Sequence, residues 1–152
     1  MPDFEPQDPD FEARVRASFG RQTVMTTIGA RIERVVPGEV EISLPFRADL
    51  AQQHGFLHAG IVTTIVDSAC GYAALTLMPP GTGVLTVEYK ANFLAPASGV
   101  RFLARGRVVK PGRTLTVATG EVVAVADDDT ERPVVTMLAT MMAIRERPGV
   151  AD

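Results

Sequence analysis

The chain has 152 residues, 46% of them hydrophobic, and a formal net charge of −3. This is the size and make-up of one globular domain with its own core, and the negative balance speaks against a general electrostatic grip on nucleic acid or an anionic membrane. A single cysteine, Cys70, excludes an internal disulfide and a cysteine-rich metal site, and two histidines among scattered carboxylates offer no metal-ligand spacing.

Residues 1–9 are acidic and broken by prolines, unlike the basic start and apolar centre of a secretory signal. They are expected to form a flexible lead, and the protein to be soluble and cytoplasmic. After Asp8-Pro9, the apolar residues Phe11, Val15 and Phe19 recur at helical spacing and Gly20 offers a stop, which predicts a short amphipathic helix. Val24 to Val36 reads as a strand, Pro37-Gly38 as a turn, and Glu39 to Phe46 alternates Val40, Ile42, Leu44 and Phe46 with polar neighbours. These predict a hairpin.

A loop over 47–57 leads to a long helix at roughly 58–77, closed by Pro79-Pro80-Gly81 because proline cannot continue it. Four strands follow. Val84 to Ala95 is expected to put Leu85, Val87, Tyr89, Ala91 and Phe93 on one face and Thr86, Glu88, Lys90 and Asn92 on the other. Val100 to Val109 sets Arg101, Arg105 and Arg107 opposite Phe102, Ala104 and Val108, and both strands are expected to be half-buried. Lys110-Pro111-Gly112-Arg113 is a turn, Thr114 to Val125 a fifth strand, Asp127-Asp128-Asp129 a second turn, and Pro133 to Arg145 a sixth strand. The order predicts an α+β domain over residues 10–146 with a tail at 147–152: about six antiparallel strands wrapped around one long central helix, plus a short N-terminal helix.

The long helix carries the chemistry. From Ile61 to Leu77 nearly every residue is apolar or small, so burying a lone carboxylate at Asp67 would cost several kcal/mol without a purpose. Thr63, Thr64, Asp67, Ser68 and Gly71 also interrupt the apolar run enough to argue against a membrane span. If the helix starts near Ala59, its first N–H groups lack internal acceptors and suit a developing oxyanion. Asp67, eight residues on, lies about 12 Å further along the axis, so one helix cannot bring both to one atom. Two antiparallel copies across a two-fold axis can, each N-terminus facing the other subunit's Asp67. Gly60, Thr63, Thr64, Asp67, Gly71 and Ala74 form a small, weakly polar stripe along which a ligand or a second helix fits; alternatively the stripe only lets the sheet approach. His58 reads as a structural group at the helix start rather than a base, and His54 as a loop residue.

His-Ala-Gly at 58–60, Asp67 downstream, Thr-Val-Glu-Tyr-Lys-Ala-Asn-Phe-Leu-Ala-Pro-Ala at 86–97 and Gly-Arg-Thr-Leu at 112–115 together resemble the hotdog-fold acyl-CoA thioesterases. Within them the chain is most similar to the PaaI-like (phenylacetate-pathway-like) branch of the hydroxybenzoyl-CoA thioesterase superfamily, over roughly residues 20–145. The resemblance implies a long helix wrapped by an antiparallel sheet, homodimers formed by edge-to-edge strands with active sites at the subunit interface, and often homotetramers. It implies hydrolysis of acyl-CoA to a carboxylic acid and coenzyme A, with no cofactor beyond the coenzyme A of the substrate.

In site terms the resemblance implies that Ala59 and Gly60 stand where the family has two glycines, the first giving the backbone N–H that polarises the thioester carbonyl. Asp67 would be the general base or nucleophile, and Thr86 would position water. Gln52 stands where the family usually has Asn, with Gln53 as the alternative; the amide is kept on an arm one methylene longer. Ala59 keeps the N–H and adds a Cβ, harmless if the backbone there is helical. Lys90, Arg107, Lys110 and Arg113 are candidates for the coenzyme A phosphates, the turn pair Lys110 and Arg113 foremost, or else are solvated surface charges. Asn92, Phe93 and Pro96 are candidates for the pantetheine path, and Phe56, Leu57 and Tyr72 suggest an apolar or aromatic acyl group. Two other functions fit the same cleft: a non-catalytic acyl-CoA-binding module and, with less support, a hotdog-fold hydratase or dehydratase.

Overall fold

The computed structural model describes residues 3–152. Its elements are α1 (Phe11–Arg21), α2 (Thr23–Ile28), β1 (Arg31–Val36), β2 (Glu39–Pro45), a 3-10 turn (Ala48–Leu50), α3 (Ala59–Leu75), β3 (Gly83–Phe93), β4 (Arg101–Lys110), β5 (Leu115–Val125) and β6 (Glu131–Ile144). The strands form one antiparallel sheet in the order β1-β2-β4-β5-β6-β3. Helix α3 packs against β2, β3, β4, β5 and β6. Five strands at about 4.8 Å spacing are wider than one helix of about 10 Å diameter, so the sheet must curve around α3 to reach it from all five. No helix among the described residues is long and apolar enough to cross a membrane.

The seat of α3 is cut by two glycines in the sheet. A Cβ on Gly106 would lie 2.3 Å from the Ala69 carbonyl, and one on Gly120 would lie 2.5 Å from Val66 Cγ2 and 2.8 Å from Cys70 Sγ. The sheet therefore closes on the helix at Ala69 and Cys70, not along the Gly60–Thr64–Asp67 side, which stays partly open. Val62, Ile65, Val66, Ala69, Cys70, Ala73 and Leu75 are fully buried against Ile42, Leu44, Phe102, Val122 and Met141.

The far end of α3 is closed by polar groups. Arg14, only 10% exposed, pairs with the equally buried Asp8 at 3.2 Å and donates to the carbonyls of Leu75, Met78 and Pro79 at 2.8–2.9 Å. Among the described residues the Met78 carbonyl has no other donor, while those of Leu75 and Pro79 also accept from the N–H groups of Met78 and Thr82. Gln7 donates to the Leu77 carbonyl, and Phe4 packs on Gly38, whose φ of +77° and lack of Cβ the turn requires. Met1 and Pro2 of the expected lead lie outside the described residues.

Several expectations are corrected. The segment from Val24 is not strand: residues 23–28 are helix α2, and only Arg31–Val36 pair with β2. The β-branched Val24, Thr26, Thr27 and Ile28 suggested a strand, but Met25 and Ile28 bury one helical face and Gly29, at φ +82°, ends the helix by donating to the Met25 and Thr26 carbonyls. Nor is α1 stopped at Gly20; it runs to Arg21.

Further corrections concern β3. Thr86 pairs with Met141 and Glu88 with the next residue, Thr140, so Val87 is an extra residue that shifts the strand's alternation by one. Thr86, Tyr89, Ala91 and Phe93 therefore stand opposite the buried Met141, Ala139, Met137 and Val135 and share the face toward α3. Leu85, Glu88, Lys90 and Asn92 take the outer face. β3 is also an edge strand rather than half-buried: Leu85, Val87, Tyr89 and Phe93 are each 45–50% exposed.

Candidate active site

Most of the catalytic candidates singled out in the sequence fall into two clefts along α3. In the first, the loop after the 3-10 turn is folded back by a lone bridge between Ala51 and Leu57 and by Gly55 at φ +85°, which brings Gln52 beside the helix start. Gln52, Phe56, Leu57, Ala59 and Val62 face Phe93 and Pro96 across a cavity of about 530 Å³. Gln53 is exposed and does not line it. The Gln52 carbonyl oxygen of the side chain accepts from the His54 N–H, which fixes the amide's direction.

His58 is the N-cap of α3, and its Nδ1 accepts from the Gly60 N–H at 2.8 Å. An acceptor at Nδ1 requires the neutral ring with its proton on Nε2, so the imidazole serves as a cap. The Ile61 and Val62 N–H groups reach the His58 carbonyl. Among the described residues nothing accepts from the Ala59 N–H, and Ala59 lines the first cleft. Ala59 has no positive φ, so its Cβ is accommodated where the family has its first glycine. The hydroxyls of Thr63 and Thr64 are turned back onto the Ala59 and Gly60 carbonyls at 2.8 Å, which removes them as free donors.

The second cleft holds Asp67. Its Oδ1 accepts from Thr86 Oγ1 at 2.8 Å, a contact that exists because the β3 bulge turns Thr86 inward. Burial pushes the Asp67 carboxyl above its ordinary value, and the Thr86 hydroxyl pulls it part of the way back. On one side Asp67 shares a hollow with Gln22, Val24, Gly60, Thr63 and Tyr89; on the other it opens into a cavity of about 430 Å³ with Tyr72, Ser18, Arg21 and the tail residues Val150 to Asp152.

Several expected residues are not brought to either cleft. Arg107 lies between Glu39 and Glu121 at 3.6 Å on the sheet face away from α3, where Arg105 pairs with Glu41 and Glu131 at 2.7 Å; this is a surface ion-pair network, and Arg107 is committed to it. Lys90 and Asn92 project from the outer face of β3. Arg113 lines a hollow with Leu77 and Met78 past the C-terminal end of α3, with Lys110 at the head of the same turn. Ala59 is about 24 Å away along the helix. Conversely, Gln22, Ser68 and residues 149–152 reach the Asp67 cavity with no local sequence signal to announce them. The Gly29 helix stop was the one available clue to Gln22, because it makes 23–28 helical and swings Gln22 over Ser68.

Comparison with known proteins agrees with this fold. Residues 54–131, just over half of the chain, match the Thioesterase superfamily. A thioesterase family protein from Silicibacter pomeroyi is 58% identical, with a TM-score of 0.87 over 89% of this chain and 98% of that one. A protein of Halobacterium salinarum named as an esterase is 28% identical over 82% of this chain and 85% of its own length. The E. coli PaaI protein from the phenylacetic acid degradation operon shares the fold at 17% identity, with a TM-score of 0.79 over 95% of this chain and 98% of that one. With its six-stranded sheet wrapped around α3, the chain belongs to the thioesterase superfamily, hydrolases of thioester bonds built on the hotdog fold.

Proposed function

We propose that the protein hydrolyses acyl-CoA thioesters at sites shared between two subunits of a homodimer. The observation that carries this reading is the separation of two complementary groups: an unpartnered N–H at Ala59 and, about 12 Å along the same helix, the Asp67 carboxylate held by Thr86. Neither can serve the other within one chain. The free edge of β3, with Val87, Tyr89 and Phe93 exposed, supports a two-fold pairing that lays the α3 helices antiparallel.

In that arrangement the thioester carbonyl oxygen sits on the Ala59 N–H, assisted by the Gln52 amide, and the positive end of α3 stabilises the charge that grows there. Asp67 of the partner subunit either removes a proton from a water held near Thr86 while that water attacks the carbonyl carbon, or attacks the carbon itself to give a mixed anhydride that water then opens. Either way the carbon–sulfur bond breaks, coenzyme A leaves as thiolate and takes up a proton, and the acid is released. The pantetheine arm runs through the cleft between Gln52 and Phe93–Pro96. Antiparallel helices carry the partner's C-terminal end beyond this N-terminus, so the partner's Lys110 and Arg113 approach the far end of coenzyme A. The polar and apolar lining around Tyr72 suits a short or aromatic acyl group.

Mixing two inactive variants tests the shared site. Proline fits the first helical position, and His58 before it already has the extended φ −61° and ψ 136° that proline demands, so Ala59→Pro removes little besides the N–H. Ala59→Pro and Asp67→Asn should each abolish thiol release from acyl-CoA. Reassorted together they should recover about a quarter of the natural rate, since half of the dimers then hold one intact site of two. No recovery, with both variants folded and exchanging subunits, would overturn the shared site; thiol release by neither the natural protein nor any variant would favour an acyl-CoA-binding module.

A further inference from the structure

The Asp67 cavity has a wall that the hydrolytic scheme leaves unused. Beyond β6 the chain turns back, and residues 149–152 line the cavity that Asp67 and Thr86 open into. Val150 lies so close to the start of β3 that a Cβ on Gly83 would come within 2.8 Å of its Cγ1 and 2.9 Å of its carbonyl oxygen. The Asp152 carboxylate is held by three donors: Ser18 Oγ at 2.5 Å, Arg21 Nη2 at 3.3 Å and the Val84 N–H at 3.4 Å. Ser18 gives its proton to Asp152, so the Tyr72 hydroxyl 3.3 Å away donates to Ser18 and keeps its own oxygen free to accept.

This is a built wall rather than a loose end. Displacing Asp152 would strip all three bonds from groups already turned toward it. The wall is also selective. An acyl group that extends past Asp67 meets a fixed carboxylate and a tyrosine oxygen, both acceptors of hydrogen bonds. A far end that donates a hydrogen bond is satisfied there, a second carboxylate is repelled, and a long alkyl chain has to break the tail's bonds to pass.

We propose that residues 149–152, through Asp152, are the specificity-determining wall of the acyl cleft, admitting short acyl groups with a neutral or hydroxylated far end and turning away long alkyl and ω-carboxyacyl groups. The proposal rests on the reading of the Asp67 cavity as the acyl cleft. Asp152→Ala removes the bulk and the charge, Asp152→Asn removes the charge alone, and Gly83→Ala pushes the tail from the opposite side while leaving Asp152 in the sequence.

The test compares a series of straight-chain and ω-carboxyacyl-CoA thioesters in turnover, and the matching thioether analogues, which cannot be hydrolysed, in calorimetric binding. Asp152→Ala and Gly83→Ala should improve kcat/KM and binding for acyl groups just beyond the natural cut-off by about tenfold or more, with the shortest acyl group little changed. Asp152→Asn should keep the length cut-off and relieve the penalty on ω-carboxyacyl groups. Unchanged length and charge preferences in all three variants would overturn the wall, whatever the rate. A shift in thioether binding with no thiol release from any thioester would uphold the wall and overturn the hydrolase reading instead.

Discussion

The two ends of α3 make opposite use of the same backbone. At the C-terminal end every exit is occupied: Arg14 takes the carbonyls of Leu75, Met78 and Pro79, Gln7 takes that of Leu77, and the Thr76 hydroxyl donates to Ala73. At the N-terminal end His58 takes the Gly60 N–H and leaves that of Ala59, which lines a cleft, without an acceptor among the described residues. The first pattern holds a fold together. The second keeps a donor ready for something that is not protein, at the end where helix polarity favours negative charge.

The sharpest way to break this division is at Asp67. Asp67→Asn should lower kcat/KM for acyl-CoA by about a hundredfold or more, the loss expected of a general base, while making the protein more stable at neutral pH. The sign follows from burial. With its folded carboxyl above the unfolded value, Asp67 favours folding only while protonated, and that contribution is lost as pH rises through the folded value. The stability gain of the neutral amide, read from denaturant midpoints, should therefore shrink as pH falls toward the ordinary carboxylate value of about 3.9. A variant that is destabilised at neutral pH would mean that the charge is held favourably and is structural.

Arg14→Met should do the reverse. Removing one partner of a buried pair, and with it the bonds to three carbonyls at and beyond the helix end, should cost about 3 kcal/mol in unfolding free energy, with the activity of the folded fraction unchanged. Loss of specific activity at full folding would tie the two ends together. Thr86→Val is intermediate: it keeps the shape but removes the hydroxyl that draws the Asp67 carboxyl down, so the acid limb of kcat/KM against pH should move upward and the plateau should fall about tenfold. An unmoved limb would separate Thr86 from the titrating group. The smallest effect belongs to His58→Ala, which removes an N-cap worth about 1 kcal/mol and should change turnover by less than about tenfold. A hundredfold fall would instead make the imidazole a base.

Much of this was legible before folding. Alternation marked the hairpin and the last four strands, Pro79-Pro80 marked the end of the long helix, and the isolation of Asp67 in an apolar run marked the carboxylate. What escaped depended on partners distant in the chain. The β-branched run at 24–28 outweighed the quieter Gly29 stop, because helix and strand propensities there differ by less than the burial of Met25 and Ile28 decides. Arg107 looked like any strand-end cation until Glu39 and Glu121 came beside it from two other strands. The tail at 149–152 has neither periodicity nor motif, and its position is set by Ser18, Arg21 and the Val84 N–H, all far from it in sequence.

The extra residue at Val87 gives β3 a reading frame. Edge strands ordinarily tolerate the gain or loss of a residue better than central ones, since only one neighbour has to slide. Here loss of Val87 alone would restore strict alternation and keep Thr86, Tyr89 and Phe93 toward α3, whereas loss of a residue between Tyr89 and Phe93 would turn one or other of those two rings away from it. Substitutions along this exposed edge can therefore accumulate one at a time, and the bulge is the one place where the strand can shorten by a residue, whereas length changes between Tyr89 and Phe93 are closed to the lineage unless a compensating change of the same size arises in the same strand.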